Sequence, residues 1–120
     1  MTAEELKSRF KKFAIRIVRM VDNLPNTLSG KVIGNQIVRS GTSPGANYRA
    51  ACIAKSDRDF VNKLKMVEEE LDETIYWLDL ITEAELLKSE LLIDLKKEAK
   101  ELLSIITSSI LTKKNKMKLK

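Results

Sequence analysis

Four cations in the first twenty residues, Arg9, Lys12, Arg16 and Arg19, recur at steps of three, four and three. On a helix those steps place them on one stripe, with Lys7 and Lys11 beside it. Two chemistries suit such a stripe. As a ridge of phosphate contacts it would bind nucleic acid without sequence preference and with strong salt sensitivity. As a solvated face it would find its partners among the acids of the third helical segment. Both readings stand. Lys113, Lys114 and Lys116, in a run of five lysines that closes the sequence, would extend the phosphate-contacting surface. No strip of aromatic residues interleaves these cations, so stacking of single-stranded bases is not expected.

Residues that carry catalysis are scarce. The chain has no histidine, the commonest general base and metal ligand. Its one cysteine, Cys52, allows no zinc pair and no intrachain disulfide; in an alanine-rich helical stretch it reads as a small buried hydrophobe. Glu68, Glu69, Glu70, Asp72 and Glu73 form an acidic run, but the Glu-x-x-His pattern of carboxylate metal sites in bundles is absent. Gly41, Ser43 and Gly45 lack the Lys-Ser/Thr ending of a phosphate loop. The expectation is a protein without catalytic residues, cofactor or metal.

The segments that would position these groups are helical. Leu6, Phe10, Phe13, Ile17, Met20/Val21 and Leu24 mark the first, from about Thr2 to Asn23, with Thr2 and Glu5 as a capping box and Pro25 as its stop. The second starts near Ser29, its stripe being Val32, Ile33, Ile37 and Ser40. At Pro44 it either stops and restarts or continues as one kinked helix, and the kinked helix is preferred. Ala46, Ala50 and Ala54 would let it approach a neighbour closely. The third begins at Ser56 with Asp59 as a short capping box. It then runs Phe60, Leu64, Val67, Leu71, Thr74, Leu78 and Ile81 in heptad spacing. The fourth, about Ser89 to Thr112, carries Leu92, Leu95, Ala99, Leu102, Ile106, Ser109 and Ile110. Short loops favour antiparallel neighbours. The fold class expected is all-α: an antiparallel up-down four-helix bundle over residues 1–112, its second helix kinked near Pro44. Residues 113–120 are expected to fray as a lysine-rich tail. Tyr48 and Trp77 read as core or interface anchors.

Length and composition agree. One hundred and twenty residues make one domain with room for a core. Four glycines and two prolines cluster between residues 25 and 45, leaving the rest almost free of helix breakers. No apolar run is long enough to span a membrane. The opening residues lack a signal-peptide pattern, and with the lone cysteine this points to a reduced, cytoplasmic setting. Residues 1–56 carry ten basic and three acidic side chains, residues 57–112 seven and fourteen, and residues 113–120 five lysines and no acid. The body is therefore neutral but polarised, and its basic half could meet its acidic half within the bundle or between subunits.

Gln36-x-x-Arg39-Ser40-x-x-Ser43, then Ala46-Asn47-Tyr48-Arg49-Ala50-Ala51, Lys55-Ser56, Phe60, Lys63-Leu64 and Glu70-x-x-Glu73-Thr-x-Tyr-Trp77-Leu78 form a recognisable pattern. It resembles the four helix bundle protein family, whose members include proteins encoded by intervening sequences within bacterial 23S ribosomal RNA genes. Gly45 after Pro44 departs from the family pattern. The resemblance implies four antiparallel helices and a ring-shaped homo-oligomer, commonly a pentamer. It extends to the accessory protein of diversity-generating retroelements, which implies RNA or DNA, and a reverse transcriptase, as partners. Within the motif, Gln36, Arg39, Asn47, Glu70 and Glu73 are polar residues beside apolar positions. A network joining Arg39 to Glu70 or Glu73 is expected to fix the register of the second and third helices, as structure rather than catalysis.

Overall fold

Three of the four helices start where a hydroxyl caps free backbone N–H groups. Thr2 accepts from Glu5 N, Thr27 from Gly30 N and Ser56 from Asp59 N. The computed structural model describes residues 1–118 as α1 (Ala3–Val21), α2 (Leu28–Cys52), α3 (Asp57–Glu83) and α4 (Ile93–Lys118), with a 3₁₀ turn at Ser89–Leu91. No strand occurs among the described residues. Each helix packs on the next, and α4 returns more sparsely to α1. The result is a rod with extents of 53 × 21 × 21 Å. Neighbours run antiparallel: Ser40 meets Thr74 while Asn47 meets Glu70. Likewise Lys113 meets Asp57 while Lys96 meets Asp79.

The core follows the stripes of α1, α3 and α4. Leu6, Phe10, Phe13, Ile17 and Met20 are buried from α1, Leu64 to Ile81 from α3, Leu92 just before α4, and Leu95 to Ile110 from α4. At the start of α3 the buried residue is Val61 rather than Phe60, and Ser109 is only half-buried. The second helix differs more. Its buried face is Gly30, Gly34, Ile37, Ser40, Gly41, Pro44, Tyr48 and Ala51, a heptad filled mainly by small residues, while Val32 is exposed. A Cβ at Gly41 would lie 2.8 Å from Ile17, and one at Gly45 3.2 Å from Phe10 Cβ. The close approach to α1 therefore occurs through glycines. Of the alanines expected to provide it, Ala46 is exposed and Ala50 and Ala54 are half-buried.

Pro44 lies inside α2, which runs through it unbroken. Hydroxyls of the same turn accompany it: Thr42 donates to Val38 O at 2.6 Å, and Ser43 Oγ lies 2.7 Å from Arg39 O, its one proton shared between that carbonyl and Glu70. At the end of α3, Glu85 takes φ 56°, and Leu86 N and Glu85 N donate back to Ile81 O and Thr82 O. That pair of bonds is a Schellman cap, here without the usual glycine.

The frayed tail expected from Lys113 is corrected for residues 113–118. The fourth helix continues to Lys118 because this turn finds packing after all. Lys113 Nζ lies 3.0 Å from Asp57 and 5.6 Å from the Phe60 ring centroid, and Met117 packs against the core. Residues 119 and 120 of that tail lie outside the described residues. Among the described residues, no helix is long and apolar enough to cross a membrane.

Candidate nucleic-acid interface

The α1 cations separate into two groups once the bundle closes. Arg9 leaves the ridge and turns to α4. Its Nε donates to Glu98 Oε2 at 3.0 Å and its terminal nitrogen to Oε1 at 2.5 Å, with Glu101 3.8 Å away. The Glu98 hydrogen bond, opposed by burial and aided by both carboxylate charges, holds the Arg9 guanidinium above its already high pKa. This bidentate, partly buried pair ties the first helix to the last, along the sparsest seam of the bundle. The acid that answers Arg9 thus comes from the fourth helix, not the third. Lys12, Arg16 and Arg19 remain exposed, and no ion pair or hydrogen bond engages their side chains among the described residues. They share the outward surface of α1 with Ile15 and Val18, both more than two-fifths exposed.

The lysines of the closing run also part company. Lys113 is held by Asp57 and Phe60. Lys114 stands against Lys65, whose ammonium pulls the Lys114 pKa below the ordinary lysine range, by hydrogen bond first and charge second. Lys116 is exposed. It shares the rim of a groove of about 570 Å³ at this end of the rod with Lys113, Phe60 and the hydroxyls of Ser108 and Thr112.

The polar network between α2 and α3 forms around a different set of residues than expected. Glu70 accepts from Ser43 Oγ at 2.5 Å and from Asn47 Nδ2 at 2.8 Å. One turn along, Thr74 Oγ1 donates to Ser40 Oγ at 2.9 Å, both residues being buried. Arg39 does not join: it is exposed, and its side chain has no partner among the described residues. The expected Arg39 link to Glu70 or Glu73 is therefore corrected. Two hydroxyls and an amide satisfy the seam and leave the guanidinium in water, where its charge costs least. Gln36 and Glu73 are half-buried on the same two helices and make no side-chain hydrogen bond to the network among the described residues.

Tyr48 is buried, its ring stacked on Phe10 with centroids 5.3 Å apart. Burial first, and the Cys52 thiol second, push its hydroxyl up to about 12. Trp77 is half-buried beside exposed Tyr76, edge to face at 5.0 Å, and its Nε1 is enclosed with no hydrogen-bond partner among the described residues. Cys52 is half-buried rather than fully enclosed. No group of three or more potential metal ligands occurs among the described residues.

Lys7 and Lys11, which flank the stripe, and Arg49, which the sequence reading gave no charge role, are brought together across α1 and α2 around a groove of about 370 Å³. The available signal was charge without compensation: α2 contains no acid, and α1 none between Leu6 and Val21.

Comparisons with known proteins bear on the whole bundle. The chain is similar over 88% of its length to a crystal structure of a protein of unknown function from the S23 ribosomal protein family of Bacteroides thetaiotaomicron VPI-5482. The two share 38% identity with a TM-score of 0.82, and the match covers 97% of that chain. No curated protein gives a significant match. The model of the 23S rRNA-intervening sequence protein matches residues 5–108, from the first turn of α1 to beyond the middle of α4, and the chain belongs to that family.

Proposed function

We propose that this chain is a non-enzymatic, self-associating bundle that binds RNA or DNA without sequence preference through its basic surface. The observation that supports this most is the uncompensated charge of the first two helices. Lys12, Arg16 and Arg19 stand exposed with no acid engaged to them, while seven of the twelve acids of α3 and α4 among the described residues are engaged with their own lysines, with Thr107, with Arg9 or with α2. Uncompensated cations on a rigid helix release counterions when they meet phosphates, which gives affinity without base contacts. Lys114 and Lys116 add to the same field at one end of the rod. Self-association into a closed ring, pentameric on the family resemblance, would repeat the basic surface around the assembly and multiply weak contacts. A reverse transcriptase or another protein would be a further partner of such a ring.

Fluorescence polarisation with labelled RNA and DNA across a salt series tests this reading. Binding at about 50 mM salt that falls steeply with salt is expected. Charge reversal at Lys12, Arg16 and Arg19 together with removal of residues 113–120 should weaken it; absence of binding at low salt would end the proposal.

A second reading, a protein-interaction scaffold with no nucleic-acid role, is favoured by the outward face of α3. There Met66 and Tyr76 are about half exposed among the exposed acids Glu69 and Asp72. The polarisation series separates it, since a scaffold binds neither RNA nor DNA, and a clean monomer in light scattering would remove the scaffold reading.

A further inference from the structure

The groove between α1 and α2 is a concave, positively charged seat with no carboxylate in its lining, and we infer that it receives consecutive backbone phosphates of a nucleic acid through Lys7, Lys11 and Arg49. The inference rests on the nucleic-acid reading above and places the contact away from the Lys12, Arg16 and Arg19 ridge.

The geometry starts from glycine. Gly45 carries no side chain, and a Cβ there would already be 3.2 Å from Phe10 Cβ, so the two backbones approach closely at this level. Ala14 and Ala46 beside it are small, which leaves a cavity of about 370 Å³ open along the seam. Longer side chains rise from both walls of that shallow floor. Lys7 and Lys11 are one turn apart on α1, ~6 Å along the axis, and Arg49 stands across from them on α2. That separation is comparable to the distance between successive phosphates on one strand. Thr42 also lines the groove, but its hydroxyl is committed to Val38 O at 2.6 Å, so the cations carry the recognition.

Electrostatics select the occupant. Between Leu6 and Ser56 the only acid is Asp22, at the far end of α1. Glu4 does reach Lys7 at 3.0 Å, but that carboxylate is 84% exposed, and such a pair holds its lysine weakly. Lys11 and Arg49 have no partner among the described residues. The positive track continues along α2 to exposed Arg39, ~15 Å from Arg49, before Lys31 shares a groove with Asp22. A row of cations of that length suits a polyanion with regularly spaced charges better than a single small anion. The concavity adds what the α1 ridge lacks: two walls that can bracket one strand, and an arginine able to grip a phosphate bidentately.

The test uses the full chain and a short fluorescein-labelled RNA in polarisation titrations over a salt series. Four proteins are compared: wild type, Lys11→Ala/Arg49→Ala, Lys11→Arg/Arg49→Lys, and Lys12→Ala/Arg16→Ala/Arg19→Ala. The changed side chains are exposed, and an unchanged thermal melt will verify that folding is intact. Removing the two groove cations should weaken binding roughly tenfold at 0.1 M salt and lower the slope of log K against log salt by about 1.4. The charge-preserving swap should keep the wild-type slope, and the ridge variant should lose less affinity than the groove variant. If wild type binds no RNA, the broader reading fails and this one with it. If wild type binds while the groove variant matches it in affinity and slope, the groove alone is overturned. A groove variant whose assembly mass changes in light scattering while its salt slope does not would also overturn the inference, by making this face a contact between copies.

Discussion

The two halves of the bundle solve the same packing problem with different materials. In α1–α2 the seam is made by Gly34, Gly41 and Gly45 lying against Val21, Ile17 and Phe10, so the backbones come close and little side-chain volume separates them. In α3–α4 it is made by heptad Leu, Val and Ile on both sides. Charge follows the same division. The second half ties its lysines to its own acids, Lys63 to Asp59, Lys96 to Asp79 and Lys113 to Asp57, and Thr107 donates to Glu68. The first half has almost no acids to use and, Arg9 and Lys7 apart, leaves its cations facing water. Thus α3–α4 is an acidic scaffold that engages part of its charge internally, while α1–α2 keeps a positive field that reaches beyond the molecule.

If that contrast holds, the two halves should respond differently to a change of volume. Deleting bulk is costly in either. Ile17→Ala and Leu71→Ala remove fully buried side chains, and each should destabilise by about 2–5 kcal/mol in chemical denaturation. Adding a single methyl should hurt the first half at its glycines. A Cβ at Gly30 would lie 2.1 Å from the carbonyl oxygen of Pro25, a backbone atom that cannot swing aside. Gly30→Ala should therefore cost about 1–3 kcal/mol despite alanine's better helix propensity. A neutral or stabilised Gly30→Ala protein would show that the turn before α2 is looser than its geometry indicates.

Alkaline pH probes the same half through Tyr48. Its hydroxyl, raised from the ordinary 10.0 to about 12, favours the neutral form in the folded protein. The stability it contributes is complete below pH 10 and is lost as pH rises towards 12. Thermal melts across that window should fall for wild type and fall less for Tyr48→Phe, and absorbance near 295 nm should show one tyrosine titrating late.

The seams that join the halves offer a smaller effect. A double-mutant cycle on Arg9→Ala and Glu98→Ala should return about 1–2 kcal/mol of coupling for a bidentate pair that is partly shielded from water. A coupling near zero would mean that α1 is held to α4 by apolar contacts alone.

Much of this architecture was legible in the sequence, and the misses share a physical cause. The stripes of α1, α3 and α4 are written in large apolar residues, which periodicity detects directly. The inward face of α2 is written in glycine, which adds no hydrophobic signal, so Val32 took a place in the stripe that belongs to Gly30, Gly34 and Gly41. The caps at Thr2 and Ser56 could be read because a hydroxyl three residues before an acid is a local pattern. The role of Glu70 was only half legible. Its carboxylate stood out in the motif, but choosing Ser43 and Asn47 over Arg39 as its donors requires knowing which side of α2 faces α3. The α1–α2 groove was hidden for the same reason, since Arg49 and Lys11 are far apart in sequence and meet only once the glycines have set the distance between two helices.

The smallest effect runs in the opposite direction and belongs to the second half. Glu85 occupies a left-handed conformation, φ 56°, where its Cβ crowds the backbone. The two return bonds to Ile81 and Thr82 oblige it to do so, because they stop α3 and turn the chain towards Leu86 and Leu87, which pack against the core. Glycine adopts that conformation without the crowding but loses more freedom on folding, so the gain is a difference of two similar quantities. Glu85→Gly should raise stability by up to about 1 kcal/mol. Gly41→Ala, by contrast, must push Ile17 away from a contact of 2.8 Å. Equal and opposite shifts of the denaturation midpoint would place the need for glycine in packing within the first half and in backbone conformation within the second. If Glu85→Gly is instead destabilising, the glutamate side chain contributes something at this turn that outweighs its strain, and the cap of α3 is not a matter of backbone alone.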